Sequence, residues 1–239
     1  MQTGEVIMGG IIAMGGGFDK SEDRVELARL VMKLSGKENP KYLHIPTTGY
    51  DFADDGAIGF YSKMGCDVEI LYLTHAYMTE EIVAQKIRSA DIINVPGGNL
   101  KFCMDTWKKT HADKYLKEAF EQGKVLYGSS SGSMCWFNEG FDDCAPESEF
   151  MFVDGLGILP YCNCPHYETG YWQEFNDYVD KAKYSSIACE NETAICFIDG
   201  KWSVMVSKAR PDARVWFFDA QDNYKRYDLT QHPEILERL

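Results

Sequence analysis

A serine lies at the centre of the most informative segment of the chain. Residues 125–127 are apolar and predict a strand, and the five residues from Gly128 to Gly132 that follow fit the pattern G-x-S-x-G. In a nucleophile elbow, glycines on both sides of the serine relieve crowding in a sharp strand-to-helix turn and leave the hydroxyl exposed. Ser130 occupies the nucleophile position of that pattern. The segment therefore predicts nucleophilic chemistry at Ser130.

A serine nucleophile needs a base, which is usually a histidine, and the chain contains five histidines. His166 follows the strand-like run 159–165 and comes after the elbow in the chain, as the base does in many α/β hydrolases. His44 lies inside a predicted strand, which is typical of a core residue. The remaining histidines lie in polar or terminal segments: His75, His111 and His232. We therefore predict His166 as the base.

A glycine pair, Gly97 and Gly98, follows the predicted strand 91–95. Glycines at such a point let the backbone approach a ligand closely and present an amide N–H to a developing oxyanion. They also suit an ordinary strand-to-helix turn, so the pair by itself is a weak signal. Because the elbow follows one strand later, the backbone amides of Gly98 and Ser131 are the candidate oxyanion pair.

Two other motifs fit no known site. The glycine run 15–17 lacks the spacing of G-x-G-x-x-G, and the chain has no G-K-[S/T], so nucleotide binding is not predicted. Cys162, Cys164 and His166 have a spacing that matches no standard zinc motif, and no fourth ligand stands out. We therefore expect neither a metal nor a cofactor.

The charge balance excludes broad classes of partner. The 239 residues include 37 acids and 24 bases, and the formal net charge is −13. Such a chain repels a phosphate backbone, so we expect no nucleic-acid partner. The apolar stretch 6–14 is too short to span a bilayer and lacks the flanks of a signal peptide, so we expect no membrane partner. The predicted compartment is the cytoplasm, where the eight cysteines would be reduced.

Short apolar runs alternate with amphipathic stretches along the first half of the chain. The predicted strands are 11–14, 42–45, 68–73, 91–95 and 125–127, and the predicted helices are 23–34, 52–64, 80–87 and 111–121. This alternation is typical of parallel βαβ units.

The pattern changes beyond residue 137. Segment 138–148 is polar and is predicted to be a loop, and residues 172–181 predict one more helix. Two β-hairpins are predicted, from 194–198 with 202–206 and from 215–218 with 224–227. No linker or repeat divides the chain, so we expect a single α/β domain over residues 1–239.

These segments together resemble the peptidase E family, serine peptidases whose fold is related to that of class I glutamine amidotransferases. The matching segments occur in the same order along the chain and cover most of residues 11–168, with a weaker continuation at 191–198. They are 12–18, 44–48, 95–99, 128–137, 154–160 and 164–168. The ordered set is more specific than any one of its motifs.

With the predicted hairpins, the resemblance implies a three-layer α/β fold, in which helices flank a mostly parallel sheet and antiparallel hairpins follow near the C-terminus. It also implies Ser130 as the nucleophile and His166 as the base. The family's acid lies in the loop after the elbow helix, where Asp143 is our choice. The alternative acids are Asp142, Glu139 and Glu168.

The chain departs from the family pattern at two places. The family's elbow usually reads Ser-Ala-Gly-Ala, whereas residues 130–133 read Ser-Ser-Gly-Ser. Family members that cleave after an N-terminal aspartate are expected to bind its carboxylate with an arginine near the active site. Here no arginine occurs between Arg88 and Arg210, and the lysines that would substitute are Lys101, Lys108 and Lys109. An aspartyl preference is therefore left open.

The expected function is hydrolysis of dipeptides or short peptides through a Ser–His–acid triad, with a small peptide as the substrate. Two alternatives remain open. An esterase, amidase or cyanophycinase-like hydrolase would use the same serine with another pocket, and a non-catalytic scaffold would bind a metabolite or a partner protein. The sequence does not fix the oligomeric state, and a homodimer is the assembly we consider.

Overall fold

A computed structural model describes residues 10–18, 21–53 and 55–239 of the chain. In this part of the chain, a first sheet contains five parallel strands, which form its centre and one of its two edges. They are β1 (Gly10–Met14), β2 (Lys41–His44), β3 (Asp67–Ile70), β4 (Ile92–Val95) and β5 (Val125–Ser129), and they stand in the order β1-β5-β4-β2-β3. The carboxyl ends of parallel strands meet at one edge of a sheet, and ligands bind at that edge.

An antiparallel hairpin extends this sheet beyond β1. It consists of β10 (Thr193–Ile198) and β11 (Lys201–Val206), and β10 pairs with β1 from Gly10↔Ile198 to Met14↔Ala194. The hairpin predicted from residues 194–198 and 202–206 is therefore confirmed.

Helices cover both faces of the first sheet. The helices α1 (Ser21–Leu34) and α2 (Asp55–Lys63) share a buried apolar cluster with one face, and α3 (Glu80–Ser89), α4 (Leu100–Thr110) and α5 (Ala112–Glu121) share another with the opposite face. Successive strand residues point to opposite faces, so Ile12 belongs to the first cluster and Ile11 to the second. The three-layer α/β fold is thus confirmed. No helix in the described part of the chain is long and apolar enough to cross a bilayer.

A second sheet of six strands follows the elbow, and the sequence did not predict it as a separate sheet. Its strands are β6 (Phe137–Asp142), β7 (Met151–Asp154), β8 (Leu159–Cys164), β9 (Ser186–Cys189), β12 (Val215–Asp219) and β13 (Lys225–Asp228), in the order β13-β12-β9-β8-β6-β7. The predicted C-terminal hairpin is confirmed as β12 and β13. One cluster of buried side chains includes Ile11 of the first sheet and Phe141 of the second.

Three elements differ from the sequence prediction. The polar segment 138–148 was predicted to be a loop, but β6 occupies its first residues because the carboxylates of Glu139 and Asp142 find partners on other elements. The helix α4 was not predicted, although Leu100, Cys103 and Trp107 form an apolar stripe at helical spacing. The predicted helix 172–181 is a series of short turns with α7 (Phe175–Tyr178) at its centre.

Candidate active site

The elbow serine has a strained backbone. Ser130 lies between β5 and the short helix α6 (Ser131–Met134), with φ 55° and ψ −128°. Residues other than glycine rarely adopt this backbone conformation, and such strain concentrates at functional sites. A Cβ at Gly128 would lie 2.2 Å from the carbonyl oxygen of Gly132, and a Cβ at Gly132 would lie 2.1 Å from that of Val95. Both flanking glycines are therefore needed for the backbone to turn here.

The end of β1 brings the serine and the histidine to neighbouring positions. The amide N–H of Ser130 donates to the carbonyl of Met14 at 3.3 Å, and that of His166 donates to the carbonyl of Gly15, also at 3.3 Å. Consecutive residues are only about 3.8 Å apart from Cα to Cα. Ser130 and His166, far apart in the sequence, are therefore anchored to adjacent residues at the carboxyl edge of the first sheet.

The imidazole of His166 is oriented by an amide side chain. Its Nδ1 lies 2.5 Å from Oδ1 of Asn191, a residue in the turn between β9 and β10. A carbonyl oxygen only accepts, so Nδ1 carries the proton, and Nε2 of the neutral ring is left as the acceptor. A Cβ at Gly16 would lie 1.8 Å from this Oδ1, so only glycine fits beside the pair. The ring of Trp172 lies 5.2 Å from the imidazole, centroid to centroid.

The candidate acids have other partners. Glu139 accepts from the amide of Lys183 at 3.1 Å and pairs with its Nζ at 3.5 Å. Glu168 accepts from the amide of Asn191 at 2.7 Å, so it supports the turn that carries the histidine's partner. Among the described residues, neither a hydrogen bond nor an ion pair joins His166 to Asp143, which is half-buried after β6. The assignment of Asp143 as the acid stays a prediction.

The fourth candidate acid, Asp142, is fully buried and contacts one of the predicted oxyanion residues, Ser131, instead. Its Oδ2 lies 2.7 Å from the amide nitrogen of Leu100 and 3.2 Å from Oγ of Ser131. The hydroxyl of Ser131 in turn donates to the carbonyl of Gly98 at 2.7 Å. Burial raises the pKa of the Asp142 carboxyl to about 7, with the amide of Leu100 acting in the opposite direction and the adjacent negative charge of Asp143 in the same direction.

The oxyanion candidates lie on two turns that touch each other. Gly98 is exposed and has φ 148°, and a Cβ there would lie 2.2 Å from the carbonyl oxygen of Thr48. Ser131 is the first residue of α6, where a backbone amide has no partner within the helix. The bond between the hydroxyl of Ser131 and the carbonyl of Gly98 holds the two turns together.

A cavity of about 670 Å³ opens beside the elbow. Gly16, Pro96 and Ser129 line it. In the chain these three residues are next to Gly15, Gly97 and Ser130, respectively. Its remaining wall is mainly aromatic, with Phe18, Tyr42, Phe60, Tyr61 and Tyr127. Burial raises the pKa of Tyr61 to about 12, and burial also raises those of Tyr42 and Tyr127 well above the ordinary value. The three phenols therefore stay protonated at neutral pH.

A single guanidinium reaches this cavity. Arg24, in α1, is exposed at its wall, and none of the described lining residues is a carboxylate. Within the described ranges, no ion pair involves Arg24, whereas Arg88, Arg210, Arg214 and Arg238 all have acidic partners. Arg24 was not predicted near the site from the sequence, because it precedes Ser130 by more than a hundred residues in the chain.

The sequence profile of peptidase family S51 matches residues 11–205. The chain belongs to peptidase family S51. Its resemblance to the peptidase E family is thereby confirmed, and it is a serine-type peptidase, a hydrolase.

Relatives of this S51 peptidase agree with that assignment. It is 31% identical over 159 residues to the uncharacterized peptidase YgaJ of Bacillus subtilis (strain 168). The matched region covers 66% of this chain and 68% of YgaJ. The crystal structure of a peptidase from an acI-B1 Actinobacterium is similar with a TM-score of 0.68 and 17% identity, over 92% of this chain and 94% of that one. A peptidase E protein from Listeria monocytogenes EGD-e is similar with a TM-score of 0.61 and 19% identity, over 83% and 98%.

The cysteines of this S51 peptidase are placed as core residues. Cys135, Cys162 and Cys164 are each fully buried, and burial raises the pKa of each thiol well above its ordinary value. Their thiolates are therefore disfavoured. No group of three or more metal-ligating side chains comes together in the part of the chain that the structure describes.

Proposed function

We propose that this S51 peptidase hydrolyses dipeptides or short peptides, with Ser130 as the nucleophile and His166 as the general base. The observation that carries the proposal is the pair of backbone anchors at the end of β1, where Met14 holds Ser130 and Gly15 holds His166. The strained backbone of Ser130 is a second, independent support.

The proposed reaction follows from these positions. Oγ of Ser130 attacks the scissile carbonyl carbon while its proton passes to Nε2 of His166. The amides of Gly98 and Ser131 donate to the oxyanion that forms. When the C–N bond breaks, Nε2 returns the proton to the leaving amine, and water then attacks the acyl-enzyme by the same route in reverse.

The third member of the triad has two candidates. Asn191 is favoured by its 2.5 Å contact with Nδ1 of His166, which holds the imidazole in the tautomer that a base requires. Asp143 is favoured by the family resemblance. An amide in this position orients the ring but adds no negative charge, as in the Cys–His–Asn arrangement of papain-like proteases.

Arg24 supports a substrate that carries a carboxylate at the cavity. A guanidinium binds a carboxylate through paired hydrogen bonds, and the phenols of Tyr42, Tyr61 and Tyr127 stay protonated, so they add no negative charge to the cavity. A dipeptide presents a free carboxylate close to its scissile bond, and an acidic side chain presents a second one. The proposed substrates are therefore short peptides with a carboxylate within reach of Arg24.

Active-site labelling tests the nucleophile directly. A fluorophosphonate should label the wild-type chain once, at Ser130, and Ser130→Ala or His166→Ala should abolish the label. Ser89→Ala is the matched control, because Ser89 is an exposed serine on α3. A label that persists in Ser130→Ala contradicts the proposal.

A substrate panel tests the reaction. Wild type should release free amino acids from dipeptides, and Ser130→Ala should not. Turnover of simple esters or β-linked aspartyl peptides with no turnover of α-linked dipeptides would instead favour the esterase, amidase or cyanophycinase-like alternative. No turnover and no labelling would favour a non-catalytic scaffold.

A further inference from the structure

Asp142 is a buried titratable group that the proposed reaction does not use. Asp142 is fully buried at the end of β6, and its Oδ1 has no hydrogen-bond partner among the described residues. Its Oδ2 contacts two of the turns that build the site, through the amide of Leu100 at the start of α4 and through Oγ of Ser131 at the start of α6. Leu100 lies two residues after Gly98.

Only one arrangement of protons makes both contacts of the Ser131 hydroxyl hydrogen bonds. Its Oγ lies 2.7 Å from the carbonyl oxygen of Gly98 and 3.2 Å from Oδ2 of Asp142. The carbonyl only accepts, and a hydroxyl has a single proton to donate. If the hydroxyl donates to Gly98, the hydrogen between Oγ of Ser131 and Oδ2 of Asp142 has to come from Asp142. Asp142 must then be a neutral carboxyl group.

We propose that neutral Asp142 is the positioning residue of the oxyanion hole: its carboxyl proton is donated to Ser131, whose hydroxyl donates to Gly98, and this chain of hydrogen bonds fixes both oxyanion amides. Ionised Asp142 has no proton to give and becomes a stronger acceptor. The hydroxyl of Ser131 then turns toward the carboxylate, and the carbonyl of Gly98 loses its donor. The inference rests on the proposed function of Ser130 and His166.

The surroundings of Asp142 favour the neutral form. Burial is the largest effect and raises the pKa of its carboxyl to about 7 although the amide of Leu100 lowers it, and the negative charge of Asp143 acts in the same direction as burial. The other titratable groups that face it are the thiols of Cys103 on α4 and Cys144, and the phenol of Tyr171. These groups are neutral at pH 7, so they offer no positive charge to stabilise a carboxylate.

The sign of the pH effect follows. Below pH 7 most Asp142 is neutral and the hydrogen-bond chain is complete, and above pH 7 the chain breaks as Asp142 ionises. The kcat/KM of wild type should therefore fall above about pH 7, by up to about tenfold for each further pH unit if the ionised form is inactive.

Asp142→Asn is the decisive variant. An amide does not titrate, and because Leu100 and Ser131 both contact the single atom Oδ2, an amide of the same shape keeps only one of these two contacts. The variant should have a lower kcat/KM than wild type at pH 6, because one of the two contacts is lost, and its kcat/KM should not decline above pH 7. Ser131→Ala removes the relay and should lower kcat more than it changes KM. A decline in Asp142→Asn that matches wild type overturns the proposal.

A stability measurement separates this inference from the proposed function. A carboxyl whose pKa is raised on folding makes the folded state less stable as the pH rises from its unfolded value to its folded value. The Tm of Asp142→Asn minus the Tm of wild type should therefore increase as the pH rises from 4 to 7. Above pH 7 this difference should stay constant. Inactivity of Ser130 toward peptides would not affect this result, whereas a Tm difference that does not change with pH shows that Asp142 is ionised throughout.

Discussion

At the scale of single residues, the site depends on which side chain holds His166. The imidazole contacts an amide, and the carboxylate of Glu168 acts one step away by accepting from the backbone N–H of Asn191. An acid was predicted from the sequence because most serine triads have one. The signal that could have identified Asn191 was the weak family match at residues 191–198.

Substitution of Asn191 separates the two candidates for the third position. Asn191→Ala should lower kcat by about a hundredfold, because an imidazole without a partner loses the tautomer and the orientation of a base. Asn191→Asp should keep more activity than Asn191→Ala. Steady-state kinetics on one dipeptide checks this. A large loss in Asp143→Asn with little effect of Asn191→Ala would instead show that Asp143 is the third member.

Arg24 gives a prediction about substrate charge. Arg24→Gln should raise the KM for a dipeptide by at least about tenfold, because a charged hydrogen bond to a carboxylate contributes roughly 1.5–3 kcal/mol. The effect should be smaller for a substrate whose carboxylate is blocked as an amide. Arg29→Gln is the control, since Arg29 is exposed on the same helix but does not line the cavity. Equal effects of the two variants contradict the role of Arg24.

At the scale of elements, the site is built where three strand ends meet. β1 ends at the anchors for Ser130 and His166, β4 ends at the glycine pair, and β5 ends at the elbow. The elbow packs against β4 so closely that a Cβ at Gly132 would lie 2.1 Å from the carbonyl oxygen of Val95 and 2.5 Å from that of Pro96. These two carbonyl oxygens belong to the backbone, so they cannot move aside as the end of a flexible side chain does.

Gly132→Ala should therefore disturb both the elbow and its stability. We expect a loss of roughly 1–3 kcal/mol or more in the free energy of unfolding, as for other overpacked sites, together with loss of fluorophosphonate labelling. Gly59→Ala is the control, because nothing lies within 4 Å of a Cβ there and alanine is the better helix former. Urea unfolding of both variants gives the comparison, and equal stabilities would contradict the close approach.

At the scale of the whole molecule, the charge of −13 and the single arginine at the cavity fit together. An acidic surface repels acidic peptides, and a cavity lined without a carboxylate among the described residues avoids that repulsion where the substrate would bind. The acidic composition, which argued against nucleic acid, is thus compatible with substrates that carry a carboxylate. The homodimer stays a prediction, which light scattering on the purified chain tests.

The shared core predicts how the molecule unfolds. One cluster of buried apolar side chains includes strands of both sheets, for example Ile11, Leu126, Phe141 and Ile187. We therefore expect a single cooperative thermal transition, with the calorimetric and van't Hoff enthalpies equal. Differential scanning calorimetry checks this expectation, and two resolved transitions would contradict the single domain predicted for residues 1–239.

The sequence by itself determined the parts of the protein that local chemistry encodes. The elbow depends on five consecutive residues, because glycines at 128 and 132 are needed for one sharp turn. The alternation of strands and helices predicted the parallel sheet, and the ordered motifs identified the family. These features depend on neighbours in the chain, so a pattern of residue types is enough to predict them.

Only the tertiary structure decided which distant groups meet. Asn191 contacts a histidine 25 residues away, Arg24 comes from the first helix, and buried Asp142 joins two turns through Leu100 and Ser131. β6 was mistaken for a loop for the same reason, since its buried carboxylates are stable only with partners from other elements. A sequence pattern records polarity, but packing decides which polar groups are removed from water and what they then contact.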